Sequence, residues 1–113
     1  MTHLPRQLNG PPSLCERKFR GDCLEKIGVP DRGTAVIDRA LPPRVGDLIH
    51  CTRTAGTLDS YLKEVVEIGE DIVVRTRYLD ETRDFSFVAA ELLGTVVAIK
   101  DTAGNILKER VPE

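Results

Sequence analysis

The stretch SYLKEVVEIGEDIVVRTRYL, residues 60–79, carries the pattern that decides the fold. In its second half, Val74 and Tyr78 alternate with Arg75 and Arg77. Because successive side chains of a β-strand point to opposite faces, the two arginines share one face with a period of two. The stretch therefore predicts two β-strands joined by a short turn, the second strand having one face in contact with water.

Five further runs of similar character flank this stretch, and the turns between them carry Gly, Pro, Asp or Asn. They are TAVID (34–38), DLIHCT (47–52), FSFV (85–88), GTVVAIK (94–100) and NILKERV (105–111). The crossover helices that parallel βαβ units require have no counterpart in the sequence. The pattern predicts a mostly-β fold, a bent antiparallel sheet or partly closed barrel of about seven short strands.

One short helix is expected in the segment that precedes these strands. Asp22 could cap it, Leu24 and Ile27 would point inward, and Gly28 and Pro30 would end it after one or two turns.

Length and composition indicate one folded domain. The chain has 113 residues, 41% of them hydrophobic, and 16 basic against 18 acidic residues give a net charge of −2. The segment MTHLPRQLNGPP, residues 1–12, is unsuited to regular structure. We predict a flexible N-terminal arm at residues 1–17 and a β domain at residues 18–113.

Several classes of function are disfavoured. A near-neutral charge with three Phe, two Tyr and no Trp argues against direct nucleic-acid binding. The three cysteines form no CxxC motif and His3 lies far from His50, so neither a metal site nor a disulfide framework is expected, and no cofactor is predicted. Without a membrane-spanning run or a signal peptide, we expect a cytoplasmic protein with no membrane partner.

The segment GDCLEKIGVPDRGTAVID, residues 21–38, could display one side chain, Cys23, on a sharp bend. Free backbone amides at that bend could bind a developing oxyanion. Forty residues later, Lys63 shares a strand face with Tyr61 and Val65. An amine that is partly desolvated there favours its neutral form, which a general base requires.

The order of these segments resembles the peptidase domain of self-cleaving LexA-type repressors and UmuD-like SOS mutagenesis proteins, which use a Ser–Lys dyad. The resemblance covers roughly residues 18–100, most of the chain. It is carried by GDCL (21–24), GVPDRG (28–33), GDLI (46–49), YLKEV (61–65) and LGTVV (93–97).

The resemblance implies a role for each matched residue. Cys23 stands at the position of the nucleophilic serine, Lys63 at that of the general base, and the backbone amides of Asp22 and Cys23 at that of the oxyanion hole. It also implies a homodimer that cleaves its own chain or a peptide partner. With only about twenty residues before the nucleophile, the chain is more similar to the UmuD-like branch than to the DNA-binding repressors.

Cysteine in place of serine changes the expected chemistry. The amine is the stronger base, so the proton prefers Lys63 and gives a thiolate–ammonium pair unless burial penalises both charges. A thiolate is also a good leaving group, so peptide cleavage is expected to be impaired or lost. A self-cleaving Cys–Lys peptidase, a pseudoenzyme and a non-enzymatic dimeric interaction module that uses the same groove all stay open.

Other polar residues have structural interpretations. We read Cys15 and Cys51 as structural thiols and His50 as a satisfied strand residue rather than a base or ligand. The charges around the arginine face suggest a solvated, charge-balanced face or a dimer rim. They are Arg75, Arg77, Asp80, Glu81, Arg83 and Asp84. The carboxylates of Asp22, Asp31 and Asp47 are placed at caps and turns.

Overall fold

The computed structural model describes residues 13–111 and confirms the mostly-β prediction. Within this described range, eight strands form one sheet in which every pairing is antiparallel. The strands are β1 (Leu14–Arg20), β2 (Arg32–Asp38), β3 (Leu48–Thr52), β4 (Tyr61–Ile68), β5 (Ile72–Arg75), β6 (Ser86–Val88), β7 (Glu91–Lys100) and β8 (Ile106–Glu109). Two 3-10 helices lie at Glu25–Ile27 and Glu81–Arg83.

The strand order is β1-β2-β7-β3-β4-β5-β6, with β8 paired to β7. The pairing register shifts by a residue between β2 and β7, β3 and β7, β4 and β5, and β7 and β8. Such bulges bend strands and increase their twist, which accounts for a bent sheet. Across residues 13–111 the sheet is not closed into a complete barrel.

Strand β1 lies partly within the predicted N-terminal arm. Leu14–Arg20 pairs with β2 along its whole length, so the arm, predicted as residues 1–17, gives way to the sheet at Leu14; its first twelve residues lie outside the described range. The sequence LCERKFR lacks a strong strand pattern, and its conformation comes from pairing with β2. Gly33 of β2 permits a close approach, since a Cβ there would overlap the Lys100 carbonyl and the Phe19 ring.

The helix predicted near Cys23 is a single 3-10 turn, Glu25–Ile27. Gly28 ends it in the left-handed conformation, with φ of 88°. The predicted cap is wrong: Leu24 occupies the N-cap position without a side-chain cap, and the Asp22 carboxylate pairs with Arg83 instead.

Two hydrophobic clusters stabilise the sheet, and β3 contributes to both. The first contains Leu24, Val29, Ala35, Ile37, Leu48, Val96 and Ile99. The second contains Ile49, Cys51, Val65 and Val74. Because neighbouring strand residues face opposite ways, Leu48 and Ile49 place the clusters on the two faces of β3. No helix within residues 13–111 is long and apolar enough to cross a membrane.

Candidate functional site

The side chains of Cys23 and Lys63 meet although forty positions separate them. The Lys63 Nζ atom donates a hydrogen bond to Cys23 Sγ over 3.2 Å. The same sulfur lies 3.9 Å from the backbone carbonyl oxygen of Leu62. Cys23 is partly buried, while Lys63 is only 6% exposed.

The end of β4 that carries Lys63 has room beside it for the Cys23 loop, residues 21–31, which joins β1 to β2. Strand β5 pairs with β4 only from Glu64 onward, whereas β3 already pairs with β4 at Tyr61. The first three residues of β4 therefore lack a β5 partner. Cys23 approaches β4 here, against the Leu62 carbonyl.

The connection between β5 and β6 holds the Cys23 loop in place. The Arg77 backbone N–H donates to the Cys23 carbonyl oxygen, and the Lys26 N–H donates to the Arg77 carbonyl oxygen. Arg83 pairs with Asp22 at 3.1 Å, and Lys26 pairs with Glu81. For Arg77, Glu81 and Arg83 the sequence predicts a solvated face or a dimer rim. Nothing local in the sequence indicates that these residues contact a loop about sixty positions away.

Asp84 organises this connection. Its carboxylate accepts hydrogen bonds from the Tyr78 backbone N–H at 2.7 Å, the Thr76 hydroxyl at 3.1 Å and Arg75 at 3.3 Å. These interactions, above all the Tyr78 bond, lower the pKa of Asp84 below the ordinary value of 3.8. The Asp84 carboxylate thus stabilises the conformation of the connection through hydrogen bonds within it. Arg77 and Arg83 bind the connection to the Cys23 loop.

The Lys63 amine is buried without a carboxylate partner among residues 13–111. The adjacent carboxylate, Glu64, is paired with Arg77 at 2.8 Å. Besides the Cys23 sulfur, the amine faces the Tyr61 ring, 5.2 Å from its centroid. A buried ammonium requires a counter-charge, so the contact is compatible with a thiolate–ammonium pair or with a neutral thiol and amine.

Cys23 and Lys63 line a cleft of about 780 Å³. Its wall includes Arg17, Lys18 and Arg20 of β1, and the carboxylate in this lining, Glu91, accepts hydrogen bonds from the Thr52 hydroxyl and the Gly56 backbone N–H. The cleft therefore carries an excess of positive charge.

His50 lies on the same wall as a partly buried strand residue. Burial, together with the nearby Arg17 charge, lowers the pKa of His50 from 6.5. In the described part of the chain, no hydrogen bond links its ring to Cys23 or Lys63. Among residues 13–111, no further hydrogen-bonded side chain therefore orients Lys63 in the way that a carboxylate orients the histidine of a catalytic triad.

The backbone amides proposed for an oxyanion hole have no acceptor within residues 13–111: neither Asp22 nor Cys23 donates its N–H to the protein. Unpaired N–H groups are the kind of donor that an oxyanion hole requires. A helix does not add to this, because the single 3-10 turn is too short to provide an aligned dipole.

The remaining sequence-predicted positions are structural. Cys51 is fully buried, and burial raises its pKa to about 11, although the nearby Lys63 charge opposes this shift. Cys15 packs against the first hydrophobic cluster. Asp31 accepts the Gly21 N–H, and Asp47 accepts the Arg44 N–H, as expected for turn carboxylates. No group of three or more His, Cys, Asp or Glu between residues 13 and 111 could hold a metal ion.

Comparisons with models of known families, with curated proteins and with solved structures each find no match to this chain. The LexA/UmuD-type resemblance therefore stays an interpretation of the sequence.

Proposed function

We propose that this chain is a peptidase-like regulatory domain of the LexA/UmuD kind, in which Cys23 is the nucleophile and Lys63 carries the proton. The observation that supports the proposal best is the 3.2 Å contact between Sγ and the Nζ of a lysine that is 6% exposed. A buried amine without a carboxylate partner contributes little to stability, but it is suited to exchanging a proton with a thiol. The homodimer and the cytoplasmic location belong to the same proposal.

The reaction begins when the Cys23 thiolate attacks the carbonyl carbon of a peptide bound in the cleft. The carbonyl oxygen takes up the negative charge near the free amides of Asp22 and Cys23. The C–N bond then breaks as the Lys63 ammonium gives its proton to the departing nitrogen, which leaves a thioester on Cys23. Neutral Lys63 next accepts a proton from water, the hydroxide attacks the thioester, and the thiolate departs.

The alternative is a non-enzymatic interaction module that binds a protein segment in the same cleft. The Cys23 sulfur supports this non-enzymatic alternative, because a thiolate leaves a tetrahedral intermediate more readily than an unprotonated amine does. If Lys63 delivers its proton too slowly, the intermediate returns to the intact peptide. The cleft then binds without cutting.

Intact-mass measurements after incubation from neutral to alkaline pH test the proposal. We expect two fragments whose masses sum to the chain plus one water. Replacing the base, Lys63→Ala, should slow their formation by about a hundredfold or more, and Cys23→Ser should change the rate. The matched control Lys108→Ala removes an exposed lysine of β8 and should cleave normally.

Two results would reject the enzymatic proposal. One is the absence of fragments of either this chain or added peptides at every pH. The other is cleavage by Lys63→Ala at the wild-type rate. Peptide binding without cleavage would instead support the interaction module.

A further inference from the structure

We propose that Cys23 and Lys63 form an oxidative modification site, at which a hydroperoxide converts the thiol to a sulfenic acid and the lysine amine captures that sulfur in a reversible S–N bond. The reactant is hydrogen peroxide or a small organic hydroperoxide. The product is a sulfenamide link between the Cys23 loop and β4.

The geometry brings the two reacting atoms together before oxidation. Sγ and Nζ are 3.2 Å apart, within hydrogen-bond distance, so bond formation needs only a short approach. Lys63 is held by its burial and, among the described residues, has no carboxylate to compete for its amine. The sulfur lines the 780 Å³ cleft, which gives a small peroxide a route to it.

The proposed steps balance in atoms and electrons. In the first step the thiolate attacks one peroxide oxygen and the O–O bond breaks. The products are the sulfenic acid and, after protonation of the leaving oxygen, water from hydrogen peroxide or an alcohol from an organic hydroperoxide. The sulfur loses two electrons and the peroxide gains them. In the second step the neutral amine attacks the sulfur, the S–O bond breaks, and the sulfenic oxygen leaves as water when the amine gives up a proton. The protein thereby loses two hydrogen atoms.

The other cysteines are poorer targets for this chemistry. Cys51 is fully buried and its pKa of about 11 keeps it in the unreactive thiol form. Cys15 is partly buried against the first cluster, and no lysine within residues 13–111 hydrogen-bonds to it. Cys51 is nevertheless the thiol that could compete with Lys63 for a Cys23 sulfenic acid, because the Lys63 charge is near enough to affect the pKa of Cys51. A Cys23–Cys51 disulfide would change the mass by the same amount.

The modification also bears on regulation. The S–N bond uses both members of the pair, so, if the proposed function holds, it would arrest peptide cleavage until a thiol reductant reopened it. The experiment below measures the bond itself and needs no cleavage. A failure of the peptidase proposal and a failure of this one are therefore distinguishable.

The decisive protein is the Cys15→Ser/Cys51→Ala double variant, treated with one equivalent of hydrogen peroxide. We expect its intact mass to fall by about 2 Da and to recover with dithiothreitol. Proteolytic digestion should yield the Cys23 peptide joined to the Lys63 peptide. Lys63→Arg in the same background keeps the positive charge but removes the primary amine, so this control should gain oxygen atoms on Cys23 instead.

Three outcomes would overturn the proposal. They are oxygen addition to Cys23 without a joined peptide, a 2 Da loss that persists in Lys63→Arg, and a wild-type product joined only through Cys51. If the double variant does not fold, proteolytic digestion of the oxidised wild-type protein tests the proposal instead. It identifies whether the Cys23 peptide is joined to the Lys63 peptide or to the Cys51 peptide.

Discussion

Lys63 is the residue at which stability and chemistry oppose each other most directly. Its amine is removed from water and, among residues 13–111, contacts a sulfur and an aromatic ring rather than a carboxylate. Desolvating such a group costs free energy that a thiol partner only partly returns. A residue of this kind is typical of functional sites, where a protein gives up stability for reactivity.

We therefore predict that Lys63→Met stabilises the protein. Methionine has a similar length and fills the same buried space without a polar head group. The free energy of unfolding, measured by chemical denaturation, should rise by about 1 kcal/mol. The exposed counterpart Lys108→Met should leave it within about 0.5 kcal/mol of wild type. A decrease of more than about 1 kcal/mol in Lys63→Met would show instead that the amine stabilises the fold.

At the scale of single residues, part of the candidate site could be predicted from the sequence. The resemblance to the LexA/UmuD peptidase domain implies that Cys23 and Lys63 lie together, and the structure places Sγ and Nζ 3.2 Å apart. Their catalytic role stays a prediction. The contacts of Arg77 and Arg83 with the Cys23 loop could not be inferred, because either arginine is equally compatible with a solvated strand end. Such contacts depend on where a bent sheet brings two loops together.

Among the elements, the connection between β5 and β6 controls the position of the Cys23 loop. Its conformation depends on Asp84, whose pKa is lowered chiefly by the Tyr78 backbone hydrogen bond. A carboxyl group with a lowered folded-state pKa stabilises the protein above the unfolded-state value of about 3.8. That stabilisation disappears as the pH falls through the lowered folded-state pKa.

We predict that Asp84→Asn weakens the fold near neutral pH and that the difference from wild type narrows in acid. Urea midpoints measured between about pH 7 and pH 2 should converge below the ordinary aspartate pKa. The matched control Asp59→Asn changes an exposed carboxyl group and should track wild type throughout. If the urea midpoints of Asp84→Asn and wild type differ by the same amount at every pH, the charge of Asp84 is not the cause of the lower stability.

The elements were predictable where the hydrophobic pattern is local. All seven predicted strand runs correspond to strands β2–β8, although β5 ends at Arg75 rather than continuing to Leu79. Strand β1 was missed because its charged sequence is ordered by pairing with β2 rather than by its own pattern. The helix predicted near Cys23 is only a 3-10 turn, because Gly28 and Pro30 leave too few residues for an α-helix.

For the molecule as a whole, the charge of the cleft is set by β1, the edge strand. Arg17, Lys18 and Arg20 belong to the cleft lining, whose carboxylate, Glu91, is already hydrogen-bonded. Positive potential concentrated in a cleft raises the local concentration of anions. The net charge of −2 for the whole chain conceals this local excess.

We predict that Cys23, as the only remaining thiol of Cys15→Ser/Cys51→Ala, reacts faster with anionic than with neutral disulfides. Thiol-exchange rates with dithionitrobenzoate and with dithiodipyridine should give a ratio that falls about threefold or more in Arg17→Gln/Arg20→Gln. High salt, about 0.5 M, should produce a similar fall in the ratio.

Lys108→Gln removes a positive charge outside the cleft and serves as the control for net charge. Its rate ratio should equal that of the unmodified background. The β1 double variant removes two positive charges and this control removes one. A loss per charge in the control equal to that in the double variant would assign the effect to overall charge rather than to the cleft.

The position of β3 between two apolar clusters has a consequence for how the protein melts. The consecutive residues Leu48 and Ile49 belong to the first and second clusters respectively. Because β3 packs against both clusters, the loss of packing in one cluster also removes contacts that hold the strand in the other. A calorimetric scan should accordingly show one endotherm whose van't Hoff and measured enthalpies agree. The two sides would melt as one cooperative unit, and heating would separate Cys23 from Lys63 only when the entire sheet comes apart.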